Sequence, residues 1–481
     1  MDKDHQAEKV EKLKLVFIGA GWVGGLTSSV MAEYWPEHSF YVYDISAQQI
    51  SRWNSEELPF YEESLSEIVA KVRGKNLFFT ANKTQAFENA DLFIICVNTP
   101  TKSKGLGAGE IHDLKYLESC TRDLASYFSD RQMQKPIAIV EKSTVGPTTS
   151  DIVKNIFCSH QQAFPDNKNK FCVMSNPEFL AEGVAVRDLR KPDRVIIGSD
   201  QDELSKTMES RLKGLYARFV PQERIICTTT YTSEFSKIVS NAFLAQRVSS
   251  INSLTPICEK IGIQVDDISK CVGSDSRIGP KYLSASIGFG GSCLEKDLMA
   301  LVYLARSLGL EEVADYWKGV VSINSYQKNR LSRHIVKTLN SSISGKVISL
   351  FGVAFKAGTS DCRGSAAISV AQALLEEGAT LQIYDPQVIK GHFFNEYFHY
   401  TGTPLSREEQ DKVSFCHSAL GAVENSHAIV ILTEWPEFKT LDYASLYSQM
   451  MKPAYVFDYR GMVDQKTVGS LGFKVFKIGS G

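Results

Sequence analysis

The chain reads as an α/β protein of two Rossmann-like, doubly wound domains joined by a long central helical segment. Three observations predict this. Gly19-Ala20-Gly21-Trp22-Val23-Gly24 directly follows the apolar run Leu13 to Ile18, and Asp44 closes the next apolar run, 20 residues past Gly24. From about Ser233 to Lys260 there is no glycine, and Ile238, Phe243, Leu244 and Val248 fall at roughly helical intervals. The segment Phe87-Glu88-Asn89-Ala90-Asp91-Leu92-Phe93-Ile94-Ile95 is echoed by Val423-Glu424-Asn425-Ser426-His427-Ala428-Ile429-Val430-Ile431, so a mononucleotide-binding topology is expected twice. The expected domains are residues 1–229, 230–340 and 341–481.

In chain order, residues 1–12 read as a disordered lead. The run Leu13 to Ile18 is a strand, and the glycines after it permit a tight turn and close approach of a pyrophosphate to a helix N-terminus. Phe40 to Tyr43 is the next strand. Asp44 at its end suits a ribose hydroxyl pair, and a carboxylate there repels a 2′-phosphate, which favours NAD over NADP. Asp91 to Val97, Ile137 to Val140, a segment through Val173 and Arg194 to Gly198 continue the strands. Polar turns at Asn98-Thr99-Pro100-Thr101 and Glu141-Lys142-Ser143-Thr144-Val145 lie where carboxyl ends of strands hold ligands. Glu178 and Glu182, four apart, could share a face of a short helix. The central segment reads as a long helix that Pro256 should kink or end. On it Lys237 and Asn241 stand one turn apart. A second α/β unit follows, with Val347 to Phe351 as strand, Ala366 to Glu377 as helix and Leu381 to Tyr384 as strand. Lys356 and Arg460 there place cations near strand ends, suited to a second phosphate-bearing ligand.

Bulk properties exclude several classes. Lys and Arg total 53 against 55 Asp and Glu, so no global field favours nucleic acid or an acidic membrane surface. The start, Met1-Asp2-Lys3-Asp4-His5, has no apolar h-region, and no apolar run approaches the roughly 18 residues a membrane helix needs. Ten scattered cysteines without CxxC spacing suggest reduced thiols in a cytoplasmic protein, nine of them structural, and no zinc or other metal site.

The tenth is Cys293, in Gly288-Phe289-Gly290-Gly291-Ser292-Cys293-Leu294-Glu295-Lys296-Asp297. Leu294, Leu298, Leu301, Val302 and Leu308 predict a helix starting at or just before Cys293, with Ser292 and Glu295 as a capping box. Cys293 would then sit in the first turn, where unpaired N–H groups favour a thiolate. Asp297 follows one turn on. A nucleophile with a nearby carboxylate, fronted by a glycine-rich loop, is a catalytic arrangement.

Taken with Val97-Asn98-Thr99-Pro100-Thr101, Glu141 to Val145, Asn176-Pro177-Glu178-Phe179-Leu180-Ala181-Glu182-Gly183 and Asn241-Ala242-Phe243-Leu244-Ala245-Gln246-Arg247, these motifs resemble the UDP-glucose 6-dehydrogenase family, from Ile18 to about Asp464. Arg247 to Asn252 and Ser276 to Gly279 look closest to animal-type members. The resemblance implies four-electron oxidation of UDP-glucose with two NAD. Cys293 would be the nucleophile, Lys237 and Asn241 oxyanion stabilisers, Glu178 and Asp297 proton carriers, and Thr144 the residue that positions water. Cofactor contacts would come from Gly19, Gly21, Val23, Gly24, Asp44, Val97, Thr99, Ser143, Thr144, Glu182, Cys293, Lys296 and Arg363. The substrate would meet Glu178, Phe179, Leu180, Lys237, Asn241, Tyr282, Phe289, Gly290, Lys356 and Arg460, with Arg277 offered to a neighbouring subunit of a homodimer or homohexamer. The loop from Ala357 to Gly364 departs from the animal pattern, which usually carries a second lysine there. A GDP-mannose-type dehydrogenase and a catalytically silent NAD-binding sensor are the alternatives. A silent sensor would be expected to lose Cys293, Lys237 or Asp297, and all are present.

Overall fold

The computed structural model describes residues 11–481, so most of the expected N-terminal lead lies outside the described residues. The chain divides into two compact units, one ending at Ile238 and the other running from Val239 to Gly481.

The first unit is built on eight strands: β1 (Lys14–Ile18), β2 (Ser39–Tyr43), β3 (Leu77–Thr80), β4 (Leu92–Ile95), β5 (Ile137–Glu141), β6 (Phe171–Ser175), β7 (Val195–Gly198) and β8 (Ile225–Thr228). They lie in the order β3-β2-β1-β4-β5-β6-β7-β8. The pairings are parallel apart from β6 with β7, which meet antiparallel at Ser175 and Gly198. Alternation along β1 shows why helices cover both faces. Leu15 and Phe17 join one buried cluster while Val16 and Ile18 join another, so neither face of the strand can be left to water. The order reverses beside β1, so the loops after β1 and β4 flank a switch point, where such sheets bind ligands.

The second unit repeats the plan with β9 (Val347–Phe351), β10 (Thr380–Tyr384), β11 (Val413–Phe415), β12 (Ala428–Ile431), β13 (Tyr455–Asp458) and β14 (Lys474–Lys477), all parallel, in the order β11-β10-β9-β12-β13-β14. The internal echo is realised in the backbone. Asn89 and Asn425 both adopt left-handed conformations, with φ 56° and 55°, just before β4 and β12. Asparagine is among the residues that tolerate this region, and each introduces a strand lying next to the unit's first strand.

Four helices occupy the central stretch: Thr230–Ile261, Val265–Gly273, Leu294–Ser307 and Glu311–Thr338. Pro256 lies inside the first of them and does not end it. Proline removes the N–H that would bond to the carbonyl of Asn252, and the Thr255 hydroxyl takes that carbonyl instead at 2.8 Å. Among the described residues, no helix is long and apolar enough to cross a membrane.

A buried carboxyl pair ties the first unit together. Glu234, near the start of the long helix, accepts from the backbone N–H groups of Thr148 and Ser150, both at 2.8 Å, and so caps the helix Thr149–Ser159. Glu141, at the end of β5, is 1% exposed, and among the described residues no ordinary donor reaches either of its carboxyl oxygens. The Glu234 carboxyl is its neighbour, and two carboxyls buried together favour keeping a proton on the pair. Burial pushes the Glu141 carboxyl well above its usual value, the Glu234 charge adds to this, and Lys154 opposes it while Asp151 reinforces it. A proton kept in the folded state but released by the unfolded chain makes stability fall as pH rises above the ordinary carboxyl value. Glu141→Gln retains a donor for Glu234 and removes this linkage. Between pH 5 and pH 8 the melting temperature of the parent should therefore decline relative to that of the variant. Parallel curves from thermal melts would show that Glu141 is ionised in the fold.

Candidate active site

The glycine loop after β1 fits a dinucleotide. Gly19 has φ +107°, and a Cβ there would lie 2.8 Å from the Cys96 carbonyl oxygen. A Cβ on Gly24 would fall 2.1 Å from the Gly19 carbonyl oxygen, so close helix–strand packing requires glycine at both positions. Around Gly21 nothing lies within 4 Å of such a Cβ. Gly21 is the N-cap of Trp22–Tyr34, and no side chain caps that helix, so Val23 and its neighbours begin a first turn with N–H groups suited to an anion. Asp44 follows β2 and accepts from Ala20 N at 2.8 Å and Ser46 N at 2.8 Å. The loops after β4 and β5 are fastened to each other. Ser143 Oγ donates to the Val97 carbonyl at 2.6 Å, and Thr99 Oγ1 donates to the Thr144 carbonyl at 2.7 Å.

Glu178 and Glu182 do not lie on a helix, contrary to the spacing argument. Residues 176–184 form a loop, and the next helix is Ala185–Arg190. Pro177 has no N–H, Gly183 turns at φ +80°, and the Glu178 carboxylate itself accepts from Leu180 N at 2.8 Å. The loop is held from outside by Glu62, a residue the sequence patterns did not single out. Glu62 is 3% exposed and accepts from Trp22 Nε1, Gly183 N and Ala185 N. Lys237 Nζ lies 3.3 Å from Glu178 Oε1 and 5.2 Å from the centre of the Phe179 ring, whose face also carries Arg194. Both partners of that ion pair are largely buried.

In the second unit, the helix near the candidate nucleophile begins one residue later than expected. It spans Leu294–Ser307 with Cys293 itself as N-cap and no side-chain capping bond, so the capping box of Ser292 and Glu295 is not formed. Ser292 Oγ instead stands 3.5 Å from Cys293 Sγ. Cys293 is exposed, as are Cys227 and Cys271, whereas burial pushes the thiols of Cys96, Cys172 and Cys362 up to about 12. Asp297 is 1% exposed, and its N–H bonds to the Cys293 carbonyl at 3.0 Å. Asn241 Nδ2 donates to Asp297 Oδ2 at 2.6 Å, and Lys296 Nζ lies 3.6 Å from the other oxygen. Cysteine, amide, carboxylate and ammonium are thus gathered around one helical turn.

The glycine-rich loop before Cys293 is clamped by Asn324 on the helix Glu311–Thr338. Asn324 accepts from Phe289 N at 2.9 Å and donates to the Phe289 carbonyl at 3.1 Å. A Cβ on Gly290 would lie 2.5 Å from the Gly364 carbonyl oxygen, and Gly291 N bonds to the Arg363 carbonyl at 3.0 Å. The Arg363 side chain is engaged by Asp361. Past β13, Arg460 donates to the Leu432 carbonyl at 2.7 Å and pairs with Glu434 at 3.4 Å, while Lys356 Nζ lies 5.7 Å from the centre of the Phe355 ring. Arg277 is exposed and bidentate with Asp275, and Tyr282 has φ 63°. Asn324, Gln327 and Lys328 were missed as well. Three buried polar residues at i, i+3 and i+4, set between Val320 and Leu331 on the buried stripe, are a signal that could have found them.

Comparison with known proteins is consistent over the whole length. Family models of the UDP-glucose/GDP-mannose dehydrogenases match as NAD-binding domain over residues 13–220, central domain over 231–326 and UDP-binding domain over 349–465. The UDP-glucose 6-dehydrogenase of Caenorhabditis elegans is 44% identical over 468 residues, covering 97% of this chain and 95% of that protein. The chain belongs to the UDP-glucose/GDP-mannose dehydrogenase family. UDP-glucose 6-dehydrogenase 3 of Oryza sativa subsp. japonica is equally identical, 44% over 477 residues, with 97% of each chain covered. A UDP-glucose dehydrogenase structure from Pyrobaculum islandicum superposes with a TM-score of 0.82 at 27% identity, covering 98% of this chain and 99% of that one. The glycine loop and Asp44 therefore belong to the family's NAD-binding domain, and the fold expected from the sequence is the family's.

Proposed function

We propose that this dehydrogenase oxidises the C6 alcohol of UDP-glucose to the carboxylate of UDP-glucuronate through a covalent intermediate on Cys293. The observation that carries this reading is the exposed Cys293 at a helix N-terminus with Asp297 buried one turn below, hydrogen-bonded to Asn241. An alcohol dehydrogenase that stopped at the aldehyde would need no thiol.

NAD, when bound at the glycine loop, supplies the hydride acceptor, one molecule for each oxidation. Everything else falls to side chains. In the first oxidation, a carboxylate, Glu178 in this assignment, takes the hydroxyl proton as C6 loses hydride. The Cys293 thiolate then adds to the aldehyde carbon, and the negative charge passes from sulfur to oxygen. The Lys237 ammonium has three donors, of which Glu178 engages one, and the Asn241 amide has two, of which Asp297 engages one. The remaining donors suit the oxyanion. Loss of the second hydride leaves a thioester. Water attacks its carbonyl, the C–S bond breaks, the thiolate is regenerated and the water proton goes to Asp297, with Thr144 holding the water. Phe179, Leu180, Tyr282, Phe289, Gly290, Lys356 and Arg460 are assigned to the nucleotide sugar, and Val97, Thr99, Ser143, Glu182, Lys296 and Arg363 to the cofactor. A nucleophilic thiol must stay reduced, which supports a cytoplasmic setting.

The test is stoichiometry. Two NADH should form for each UDP-glucose consumed, with UDP-glucuronate as product, and GDP-mannose should be a poor substrate. One NADH with released aldehyde would overturn the reading. A homodimer assembling to a hexamer is the proposed quaternary state. It is supported by Phe243, Leu254, Ile257 and Ile261, apolar side chains left exposed on the helix Thr230–Ile261. Sedimentation should then give a mass of two or six chains, and Ile257→Asp should shift it toward one. An assembly unchanged by Ile257→Asp would place the contact elsewhere.

A further inference from the structure

Lys328 lies on the helix Glu311–Thr338, four residues after the Asn324 that clamps Phe289. It is 8% exposed, and among the described residues its ammonium makes no ion pair or hydrogen bond. Its stem runs along the glycine-rich loop, since a Cβ at Gly288 would stand 3.6 Å from Lys328 Cε. The charged groups that act on it are Glu295, in the exposed first turn of Leu294–Ser307, and Arg460, after β13. Neither cancels the problem: Glu295 does not reach salt-bridge distance, and Arg460 is a second cation, itself paired with Glu434 at 3.4 Å. Arg460 bonds to the Leu432 and Phe355 carbonyls, and Phe355 is followed by Lys356.

An ammonium held out of water without a partner is costly, and a neighbouring guanidinium adds to that cost. Burial, as the largest cause, lowers the Lys328 pKa below the usual lysine value; Glu295 raises it and Arg460 lowers it further. A multiply charged oxyanion would remove the conflict, because one such group can accept from an ammonium and a guanidinium together. In a nucleotide sugar the group of that kind is the diphosphate.

We propose that Lys328 is a further substrate-binding residue, whose ammonium donates to a phosphate oxygen of the nucleotide-sugar diphosphate beside Arg460. The inference rests on the reading of UDP-glucose as substrate. Its role is electrostatic and confined to binding, so it should act on KM for the nucleotide sugar rather than on kcat.

The test compares the full-length enzyme with Lys328→Met and Lys328→Gln, using calorimetric titration with UDP and with uridine, and steady-state kinetics. Losing one charge-assisted contact should weaken UDP roughly 10- to 100-fold and raise KM for UDP-glucose by a similar factor. Uridine affinity and KM for NAD should not move. Unchanged UDP affinity in both variants would overturn the proposal. So would an equal loss for UDP and uridine, which would mean that Lys328 only supports the Gly288 loop. If the parent enzyme binds no UDP, the substrate reading falls and this inference with it. If the parent binds UDP and the variants match it, only the inference falls.

Discussion

Replacing Cys293 by alanine should abolish formation of UDP-glucuronate while leaving the first oxidation chemically possible. Removing a nucleophile that forms the covalent intermediate costs on the order of 10⁴-fold or more in turnover. The residue is exposed, so truncation to a methyl group should change stability by less than about 0.5 kcal/mol. A large loss of turnover with an unchanged melting temperature would therefore be chemical in origin. The two half-reactions can be separated. Supplied with the UDP-sugar aldehyde and NADH, the variant should still reduce the aldehyde to the alcohol, because that direction needs an oxyanion site and a proton but no sulfur. Supplied with the aldehyde and NAD, it should form no acid. Acid formation at more than about a hundredth of the parent rate would mean that the second oxidation proceeds through a hydrated aldehyde, and the covalent route would be wrong.

Much of the fold was legible because the patterns that encode it are local. β9 was read to the residue, Val347 to Phe351, and the Phe87 and Val423 echo anticipated two strands in equivalent positions. The glycines at 19 and 24 meet close-packing requirements that have few other solutions. The failures come from side-chain contacts that spacing alone does not encode, most of them distant along the chain. Glu178 and Glu182 have helical spacing, but Pro177 and the Glu62 carboxylate, over a hundred residues upstream, keep that segment a loop. Ser292 and Glu295 have the spacing of a capping box, but the Ser292 hydroxyl is beside the thiol instead. Asn324 contacts Phe289 across 35 residues and Glu141 meets Glu234 across 93, so neither pairing leaves a periodic trace in sequence. The candidate catalytic residues were proposed from chemically distinctive types, such as Cys293 beside Asp297, and from the family resemblance. The residues that hold them in place, Glu62, Asn324 and Glu234, are ordinary polar residues whose importance appears only through what they touch.

Asp297→Asn should convert the enzyme into one that performs both oxidations and then stalls. The thioester must be attacked by water, a poor nucleophile unless a base takes its proton, and positioned carboxylates contribute about 10²–10⁴-fold to such transfers. Asparagine keeps the size of the side chain and can still accept from Asn241 through its carbonyl oxygen, so the buried contact at 2.6 Å has a replacement. What it loses is the ability to take a proton and the ion pair with Lys296, which at 3.6 Å is the weaker contact. The amide must also orient its NH₂ group in a site that is 1% exposed, so a stability loss of about 1–3 kcal/mol is expected and should be checked by thermal melting. Hydride transfer places its demand on the oxyanion donors and is slowed less. Rapid mixing should therefore show a burst of about two NADH per active site followed by a slow steady state. Intact mass during the slow phase should show a substrate-derived adduct that is absent from an Asp297→Asn, Cys293→Ala double variant. A thioester is cleaved by hydroxylamine, so adding it should release the adduct and restore NADH formation without restoring the carboxylate product. If Glu178 shares the task of base, the steady state will be slowed less and the burst will persist. If there is no burst and no adduct, and the slow step carries an isotope effect from deuterium at C6, then Asp297 acts before the thioester. Its hydrogen bond to Asn241 would in that case serve to aim the amide at the oxyanion, and the water would have to be activated by another group.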